Sequence, residues 1–570
     1  MSAQEKVPLK ATLPGAILPV GDLLIQGHCG TPEILVRGPA VYQLALIAQD
    51  NSGWLCILGP PSAGEPLLDP TLPMHQRLAR LHHLTSRSHH ARGLAQLPDL
   101  GVAVALRWDA RRRELSVRRD AFGRVPLVHS KHPEQVAEGG LVSTRPVLLA
   151  PFSAPLRPPD AWHYFSRAQD APLRDDFWPG VQRFFPGEER RFVAGTWETT
   201  HRLWSRNRHP RSGRPHDDHA EERFAQLLAH ATRAAIREPG PVFTLSGGLD
   251  STSLVALARE QKGHRNLATA SMVSSRHPGF DERPTIETLV HRWRTSHRFV
   301  DIGAPELWSP QRANPGVEDW GPVVVWEAPY MRYFFATLRK GMAPDTCTLV
   351  FGFGADQLLF ANELHYLEQI AAHATPELLR SLLLQAATRR RWRRAARVLA
   401  ARTGLLTRWR ARFRPDSDPR QGLLEGWKWE ASMRAFERYR RDQGVRLAFP
   451  FLQRDLWETM LASSPGELRH GGLPKAHLRK ILHHRAPDAL TFAPKGGLFD
   501  EVVACGLHRL FAPSAACSLS QQPPSHSPFT AEQRRVALDW LRQGAPPEKR
   551  YEAAVTRYLT SFESWLLTVQ

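Results

Sequence analysis

The chain has 570 residues, a net charge of +19 and a pI near 10.3, and 42% of its residues are hydrophobic. This length and apolar content exclude a disordered chain and predict two or more domains, each with its own core. No run approaches the roughly 20 apolar residues of a membrane span, and no signal-peptide pattern is seen, so we expect no membrane association.

The five cysteines are scattered and form no Cys-x-x-Cys pair. This usage predicts free thiols in a reducing cytoplasm. The positive charge attracts anions broadly, including nucleotides, acidic peptides and nucleic acid. Much of it comes from arginine, which can reflect GC-rich coding, so the charge alone does not predict nucleic-acid binding.

The first part of the chain, residues 1–204, contains short runs in which apolar and polar residues alternate. Runs at 33–36, 102–108 and 114–118 predict strands, and together they favour a mainly antiparallel β domain. The polar segment 205–216 contains proline and glycine and is typical of a linker. We therefore predict a domain boundary there, with a second domain over residues 217–570.

From residue 217 onward, the period of the apolar residues becomes helical and alternates with short apolar runs. Strands are predicted at 242–245, 267–273, 298–302 and 346–351, with helices between them. This alternation predicts a parallel sheet with helices on both faces, which binds ligands at the C-terminal strand ends. Residues 376–440 are predicted as helices with dense basic runs. A solvated helix face is the simpler interpretation, and a surface for an acidic peptide or partner is the alternative.

A glycine loop, Ser246-Gly247-Gly248-Leu249-Asp250-Ser251, follows strand 242–245 and begins a helix. Free backbone N–H groups and the helix dipole point at such a turn, which predicts an anion site. Asp250 would repel a phosphate there, so its carboxylate indicates a bridging Mg²⁺. No Gly-Lys-Ser/Thr follows, so this is not a Walker-type phosphate loop.

A second glycine loop, Gly352 to Gln357, follows strand 346–351 and carries Asp356. If the two strands are neighbours, Asp356 faces Asp250 across a nucleotide, and the two carboxylates form a Mg²⁺ clamp. For Asp356 alone, a helix N-cap is an equal interpretation. Asp281 and Glu282 open a predicted helix, where the dipole alone favours negative charge.

The loops resemble those of the asparagine synthetase superfamily, whose members carry an SGGLDS loop, an SGxGxDE loop, a PFLD segment and a lysine-bearing tail. The corresponding segments occur in the family's order, at 119–127, 184–187, 203–204, 246–251, 352–357, 449–453, 475–479 and 494–499. The resemblance implies an N-terminal glutaminase-like αββα sandwich of two antiparallel sheets. It also implies a following PP-loop ATP pyrophosphatase domain, a Rossmann-like parallel α/β fold with added helices.

The resemblance further implies ATP and Mg²⁺ as cofactors and a reaction in two steps. A substrate carboxylate attacks the α-phosphate of ATP, pyrophosphate leaves, and an amine then displaces AMP to form an amide. The implied roles are pyrophosphate binding by Ser246, Gly247, Gly248 and Ser251, Mg²⁺ binding by Asp250 and Asp356, adenine and ribose contacts by Leu245, Met272 and Gly352, and charge stabilisation by Lys495. The resemblance does not assign the base that takes the proton of the amine, and Glu327 is a candidate by its position before the second glycine loop.

Some positions depart from the family pattern. Glutamine-using members have a cysteine directly after Met1, where this chain has Ser2, so we expect no glutamine hydrolysis. Phe353 replaces a glutamate, or the tyrosine of β-lactam-forming relatives, and cannot relay a proton. Gln357 and Gln453 replace acidic residues. An asparagine-type substrate pocket is therefore not expected.

The missing cysteine favours an enzyme that uses an amine of its own substrate, and Gln357, the basic helical region and the charge of +19 favour a peptide-sized substrate. The chain therefore resembles a lasso-peptide cyclase, which joins the N-terminal amine of a precursor peptide to an Asp or Glu side chain. Such cyclases work beside a leader peptidase and a leader-recognition protein. A β-lactam synthetase or another amidating synthetase is the alternative. A non-enzymatic alternative is a nucleotide-fold protein whose arginine clusters bind nucleic acid. The intact loop at 246–251 argues against that reading.

Overall fold

The computed structural model describes residues 7–8, 17–26, 33–50, 53–59, 103–133, 140–149, 174–176, 178, 180–204, 219–262, 267–277, 281–304, 307, 328–343, 346–359, 423–463, 468–470, 473–488 and 531–543. Lys495, Glu327 and the predicted linker at 205–216 lie outside the described residues. Of the predicted basic helical region, only the part from residue 423 onward is described.

Eleven strands between residues 7 and 202 form one antiparallel sheet, which confirms the β character predicted for this part of the chain. They are β1 (Val7–Pro8), β2 (Ile17–Gln26), β3 (Glu33–Asp50), β4 (Gly53–Gly59), β5 (Val104–Asp109), β6 (Glu114–Arg119), β7 (Val128–Ser130), β8 (Gly140–Ser143), β9 (Val181–Arg183), β10 (Glu188–Val193) and β11 (Thr196–Arg202). A 3₁₀ helix covers Pro146–Leu149. The strand order is β11-β10-β6-β5-β4-β3-β2-β8-β7-β9, and β1 pairs with β3.

The two separate sheets implied by the resemblance are not seen in the described residues. The reason is β3, which is 18 residues long and hydrogen-bonds to β2 and to β4. The strands on either side of β3 still share one apolar core. Val104 of β5 and Leu115 of β6 lie in the same cluster as Ile25 of β2, Val142 of β8 and Phe184, which follows β9.

The rest of the described chain is mixed α/β. Its elements are α1 (Ala220–Arg237), β12 (Pro241–Thr244), α2 (Leu249–Lys262), β13 (Ala268–Val273), α3 (Arg283–Trp293), β14 (Ser296–Asp301), α4 (Ala328–Arg339), β15 (Thr348–Val350), α5 (Ala355–Leu358), α6 (Trp427–Gln443), β16 (Arg446–Ala448), α7 (Arg454–Leu461), β17 (Arg469–His470), β18 (Leu473–Pro474), α8 (Ala476–Leu482) and α9 (Ala531–Arg542). None of the described helices is long and apolar enough to cross a membrane.

Five strands form the predicted parallel sheet, in the order β14-β13-β12-β15-β16. From β12 the chain moves outward through β13 to β14, then returns to the other side of β12 to add β15 and β16. The strand order therefore reverses between β12 and β15. A crevice opens at the C-terminal strand ends at such a switch point, and it is the usual place for a ligand.

The two parts of the chain share a core at their contact. Phe122 and Trp204 from the N-terminal part lie in one buried cluster with Trp429 and Trp457. The ring centroids of Phe122 and Trp457 are 5.5 Å apart, and the indole N–H of Trp429 donates to the Phe122 carbonyl at 2.7 Å. This packing holds α6 and α7 against the N-terminal part of the chain, and Trp429 of α6 also contacts Phe353.

Candidate active site

The first glycine loop leaves β12 at the switch point and leads into α2. Gly247 has φ +71°, which favours glycine. The Ser251 hydroxyl accepts from the Ser246 N–H at 3.0 Å and is hydrogen-bonded to the Ser246 hydroxyl at 2.9 Å. The Thr252 N–H donates to the Gly248 carbonyl at 3.1 Å and starts the helix. The loop is thus folded around an exposed turn in front of a helix N-terminus, as an anion site requires.

The second glycine loop leaves the neighbouring strand β15 and lies against the first. A Cβ on Gly352 would lie 3.0 Å from the Asp250 Cβ and 3.0 Å from the Ser251 nitrogen. A larger residue at Gly352 would therefore push the two loops apart. Gly354 has φ +96°, and a Cβ there would lie 2.6 Å from the Leu452 side chain of the PFL segment. These close approaches place Asp356, in the first turn of α5, beside Asp250.

Lys475 joins the two carboxylates. Its ammonium donates to both carboxylate oxygens of Asp250, at 2.5 and 2.6 Å, and lies 2.8 Å from Asp356 Oδ1. The side chain of Lys475 is only 6% exposed, against 24% for Asp250 and 41% for Asp356. Two negative charges and one positive charge therefore meet in a single triad at the switch point, with the lysine buried and the two aspartates partly exposed.

Burial opposes the positive charge of Lys475, but the attraction of Asp250 and Asp356 is stronger. The net effect raises the pKa of Lys475, so the lysine is held charged. Lys475 also caps α8 with φ +63°, a left-handed conformation that is uncommon for a lysine. The Arg479 guanidinium donates to the Pro474 carbonyl at 2.8 Å and supports this turn.

The carboxylate pair fits Mg²⁺ of the kind found at nucleotide phosphates. Such an ion takes one or two protein carboxylates and fills its other positions with phosphate oxygens and water. The Lys475 ammonium already shows that Asp250 and Asp356 converge on one cation. Among the described residues, no group of three or more His, Cys, Asp or Glu side chains could hold a metal by itself. A metal here would therefore depend on the nucleotide for further ligands.

The predicted adenine and ribose contacts differ in accessibility. Leu245 is 0% exposed in the core, its N–H donates to Ala270 at 2.8 Å, and its carbonyl accepts from the Ser271 hydroxyl. Its side chain is therefore not accessible in this structure, and its contact with a nucleotide stays a prediction. Met272 in β13 is half-buried, and Gly352 faces the first loop.

Glu282 also borders the first loop, a contact that the sequence pattern does not predict. A Cβ on Gly247 would lie 3.7 Å from Glu282 Oε2. Burial raises the pKa of Glu282 from 4.5 to about 7. The prediction that this residue opens a helix holds, since α3 begins at Arg283 with Glu282 as its N-cap.

Phe353 lies between the glycines of the second loop, but its ring packs into an aromatic cluster. Its ring centroid is 5.2 Å from that of Trp429, 5.1 Å from that of Phe436 and 5.9 Å from that of Phe449. The position that carries a polar side chain in the resembling families is here a half-buried aromatic ring that packs against the core. Gln453 is the N-cap of α7 but makes no side-chain capping hydrogen bond.

The structure thus brings together Ser246, Gly247, Gly248, Asp250, Ser251, Gly352 and Asp356. Lys495 and Glu327 lie outside the described residues, so their roles stay predictions. The contact of Lys475 with the two aspartates was not predicted, although the segment at 475–479 resembles the family's. The left-handed turn and the packing of α8 on α2 that place it cannot be read from the sequence.

A parallel sheet with two glycine loops and paired carboxylates at its switch point defines a nucleotide-binding α/β protein. The chain belongs to the asparagine synthase family, because the family model described as asparagine synthase matches residues 223–567, more than half of the chain. This confirms the resemblance at the level of the superfamily. The family is one of ATP-dependent amidating ligases, so the chain is assigned to that enzyme class and to the use of ATP. No curated protein matches the chain.

Proposed function

We propose that this enzyme activates a peptide carboxylate as an acyl-adenylate and closes a macrolactam with an amine of the same peptide. The observation that carries the activation step is the triad of Asp250, Asp356 and Lys475 at the switch point of the parallel sheet. The triad places the Lys475 ammonium, and two carboxylates that would hold Mg²⁺, next to the Ser246–Ser251 loop. The backbone N–H groups of this loop would contact the phosphates of a nucleoside triphosphate. The proposed domains are residues 1–204 and 217–570, the first being a glutaminase-like domain.

In this proposal the chain's own residues bind and orient the nucleotide. The loop backbone and the Ser246 and Ser251 hydroxyls would hold the pyrophosphate, and Lys475 and Lys495 would neutralise charge on the phosphates. Asp250 and Asp356 would hold Mg²⁺, which when bound compensates the charge of the phosphates. Glu327 would accept the proton of the attacking amine.

The choice of a peptide macrolactam over asparagine formation is supported by the second loop. Phe353 is packed against Trp429 and Phe436, so no proton-relaying side chain stands between the loop glycines. Gln453 likewise replaces the acidic residue of the PFLD segment. The proposed partners are a precursor peptide, a leader peptidase and a leader-recognition protein in the cytoplasm.

The activation step is tested by AMP and pyrophosphate formation with ATP, Mg²⁺ and a leader-free peptide. Asp250→Asn and Asp356→Asn should each lower AMP formation at least about 100-fold, because each removes a charged metal ligand. Asp455→Asn changes an exposed carboxylate in α7 and should leave the rate unchanged. Full activity in both loop variants would remove the metal role of these residues.

The ring closure is tested by mass spectrometry of the same peptide. The expected product has lost the mass of one water and resists aminopeptidase, because its N-terminal amine is in an amide bond. Supplying glutamine or ammonia should not change the product. An amidated linear peptide, or a product formed only with glutamine, would instead favour another amidating synthetase.

A further inference from the structure

We propose that Lys475 is a built-in cation that occupies the carboxylate pair of the nucleotide-free protein and leaves it when a divalent metal ion binds. The inference rests on the proposed function, since it takes Asp250 and Asp356 as the metal ligands. It adds an order to the binding events: the metal enters efficiently only together with a nucleotide.

The geometry makes the two cations exclusive. The Lys475 ammonium is 2.5 and 2.6 Å from the Asp250 oxygens and 2.8 Å from Asp356 Oδ1. Mg²⁺ bonds carboxylate oxygens at about 2.0–2.1 Å. An ion that contacts an oxygen of both aspartates would therefore lie in the space that the ammonium fills. Lysine and metal cannot share these oxygens, both because of this overlap and because like charges repel.

Lys475 cannot simply withdraw into water. The residue is 5% exposed, and its backbone is held at the start of α8, which packs on α1 and α2. Within the part of the chain that the structure describes, its ammonium contacts only the two aspartates. A buried ammonium without an anionic partner is strongly unfavourable. Displacement by a metal therefore requires a new partner for Lys475.

A nucleotide supplies that partner. The phosphates would lie on the Ser246–Ser251 loop, which contains Asp250, so a phosphate oxygen can replace the carboxylate beside the ammonium. The metal and the nucleotide then each favour binding of the other. This coupling is reciprocal by thermodynamic necessity. In the nucleotide-free protein, Lys475 offsets one of the two negative charges of the carboxylate pair and keeps the metal affinity low.

The test measures free Mn²⁺ by electron paramagnetic resonance, with full-length protein, in the absence and presence of α,β-methylene-ATP. Lys475→Asn removes the ammonium, and asparagine tolerates the left-handed backbone that this position needs. We expect nucleotide-free Mn²⁺ affinity to rise at least about 10-fold, within the range of typical coupling factors. The enhancement that α,β-methylene-ATP gives to Mn²⁺ binding should shrink accordingly. Lys475→Gly, which also suits a positive φ, provides a second variant.

Two controls isolate the effect. Lys480 lies on the same helix, is 71% exposed and pairs with Glu221, so Lys480→Gln should leave Mn²⁺ binding unchanged. The double variant Lys475→Asn with Asp356→Asn should lose the gain, since one ligand is then missing. Unchanged or weaker Mn²⁺ affinity in both Lys475 variants, with circular dichroism showing native fold, would overturn the proposal. A gain in Mn²⁺ affinity without any AMP formation would sink the proposed function but not this inference.

Discussion

Burial changes the charge state of a single residue, Glu282, beside the first glycine loop. Glu282 lies against Gly247, and its carboxyl meets neither a hydrogen bond nor an ion pair in the described part of the chain. Loss of solvation alone raises its pKa to about 7. Burial therefore favours the neutral form of Glu282 beside the turn that would hold phosphate. A charged carboxylate in the same place would repel a triphosphate.

The shift at Glu282 predicts a dependence of stability on pH. Because its pKa is raised on folding from 4.5 to about 7, the folded protein holds a proton that the unfolded chain releases. The stabilisation is fully present below pH 4.5 and is lost as the pH rises through about 7. In Glu282→Gln, thermal unfolding midpoints should fall less than in the wild type over this interval.

The comparison must be made between variants, because His297 acts with the opposite sign. Burial lowers the pKa of His297 from 6.5 to about 4, so its contribution to stability falls as the pH falls through 6.5. Glu287→Gln, on the exposed face of α3, is the matched control and should follow the wild type. Identical pH profiles for Glu282→Gln and the wild type would contradict the prediction.

Sequence patterns predicted which elements exist far better than how distant ones meet. The four strands from residue 241 to 350 were predicted to within two residues, and helices were predicted between them, because each element carries a local pattern of apolar residues. The β16 strand was missed, since Arg446–Ala448 is too short to show a period. The position of Lys475 likewise depends on how α8 packs more than 200 residues after Asp250.

At the scale of elements, α6 joins the two parts of the chain through buried charges. Glu430 accepts from Arg119 of β6 at 2.8 Å and from Arg434 at 2.9 Å, and Arg434 also pairs with Asp176. All four side chains are at most 2% exposed. The basic runs for which the sequence favours a solvated helix face lie at 389–394 and 408–412, outside the described residues. In α6, Arg434 lies inside the molecule and pairs with Glu430 and Asp176.

This network predicts a large loss of stability in Glu430→Gln. The change leaves Arg119 and Arg434 short of negative charge in the interior, and breaking such a buried pair costs about 3–5 kcal/mol. Burial alone would raise the pKa of Glu430, but Arg119 and Arg434 lower it to about 2. The contribution is therefore present above pH 4.5 and lost as the pH falls towards 2. Urea unfolding at neutral pH measures the difference.

An exposed ion pair in α7 provides the control. Glu458 accepts from Arg454 at 2.8 Å and is 46% exposed. Glu458→Gln should cost less than about 1 kcal/mol, as exposed pairs do. Equal losses for Glu430→Gln and Glu458→Gln would mean that the buried network does not hold α6 to the N-terminal sheet.

On the scale of the whole molecule, the N-terminal part acts as a support for the nucleotide site. Trp429 touches Phe122 of the N-terminal part and Phe353 of the second loop. Phe122 also stacks near Trp457 of α7, which follows the PFL segment. A part of the chain that is expected to lack glutaminase chemistry therefore still shapes the second glycine loop.

This arrangement predicts that the second part of the chain is incomplete alone. Residues 217–570 expressed without residues 1–216 would expose Trp429 and Trp457 and leave Arg434 without Asp176. We expect aggregation, or an unfolding midpoint well below that of the full chain, because both an apolar surface and a buried charge lose their partners.

Co-expression of residues 1–216 should restore a one-to-one complex, measured by size exclusion with light scattering. An Arg119→Met change in the 1–216 fragment should weaken that complex, since Glu430 of the 217–570 fragment then loses an ion-pair partner. If the 217–570 fragment is stable and monodisperse and has the unfolding midpoint of the full chain, the contact between the two parts contributes little to stability.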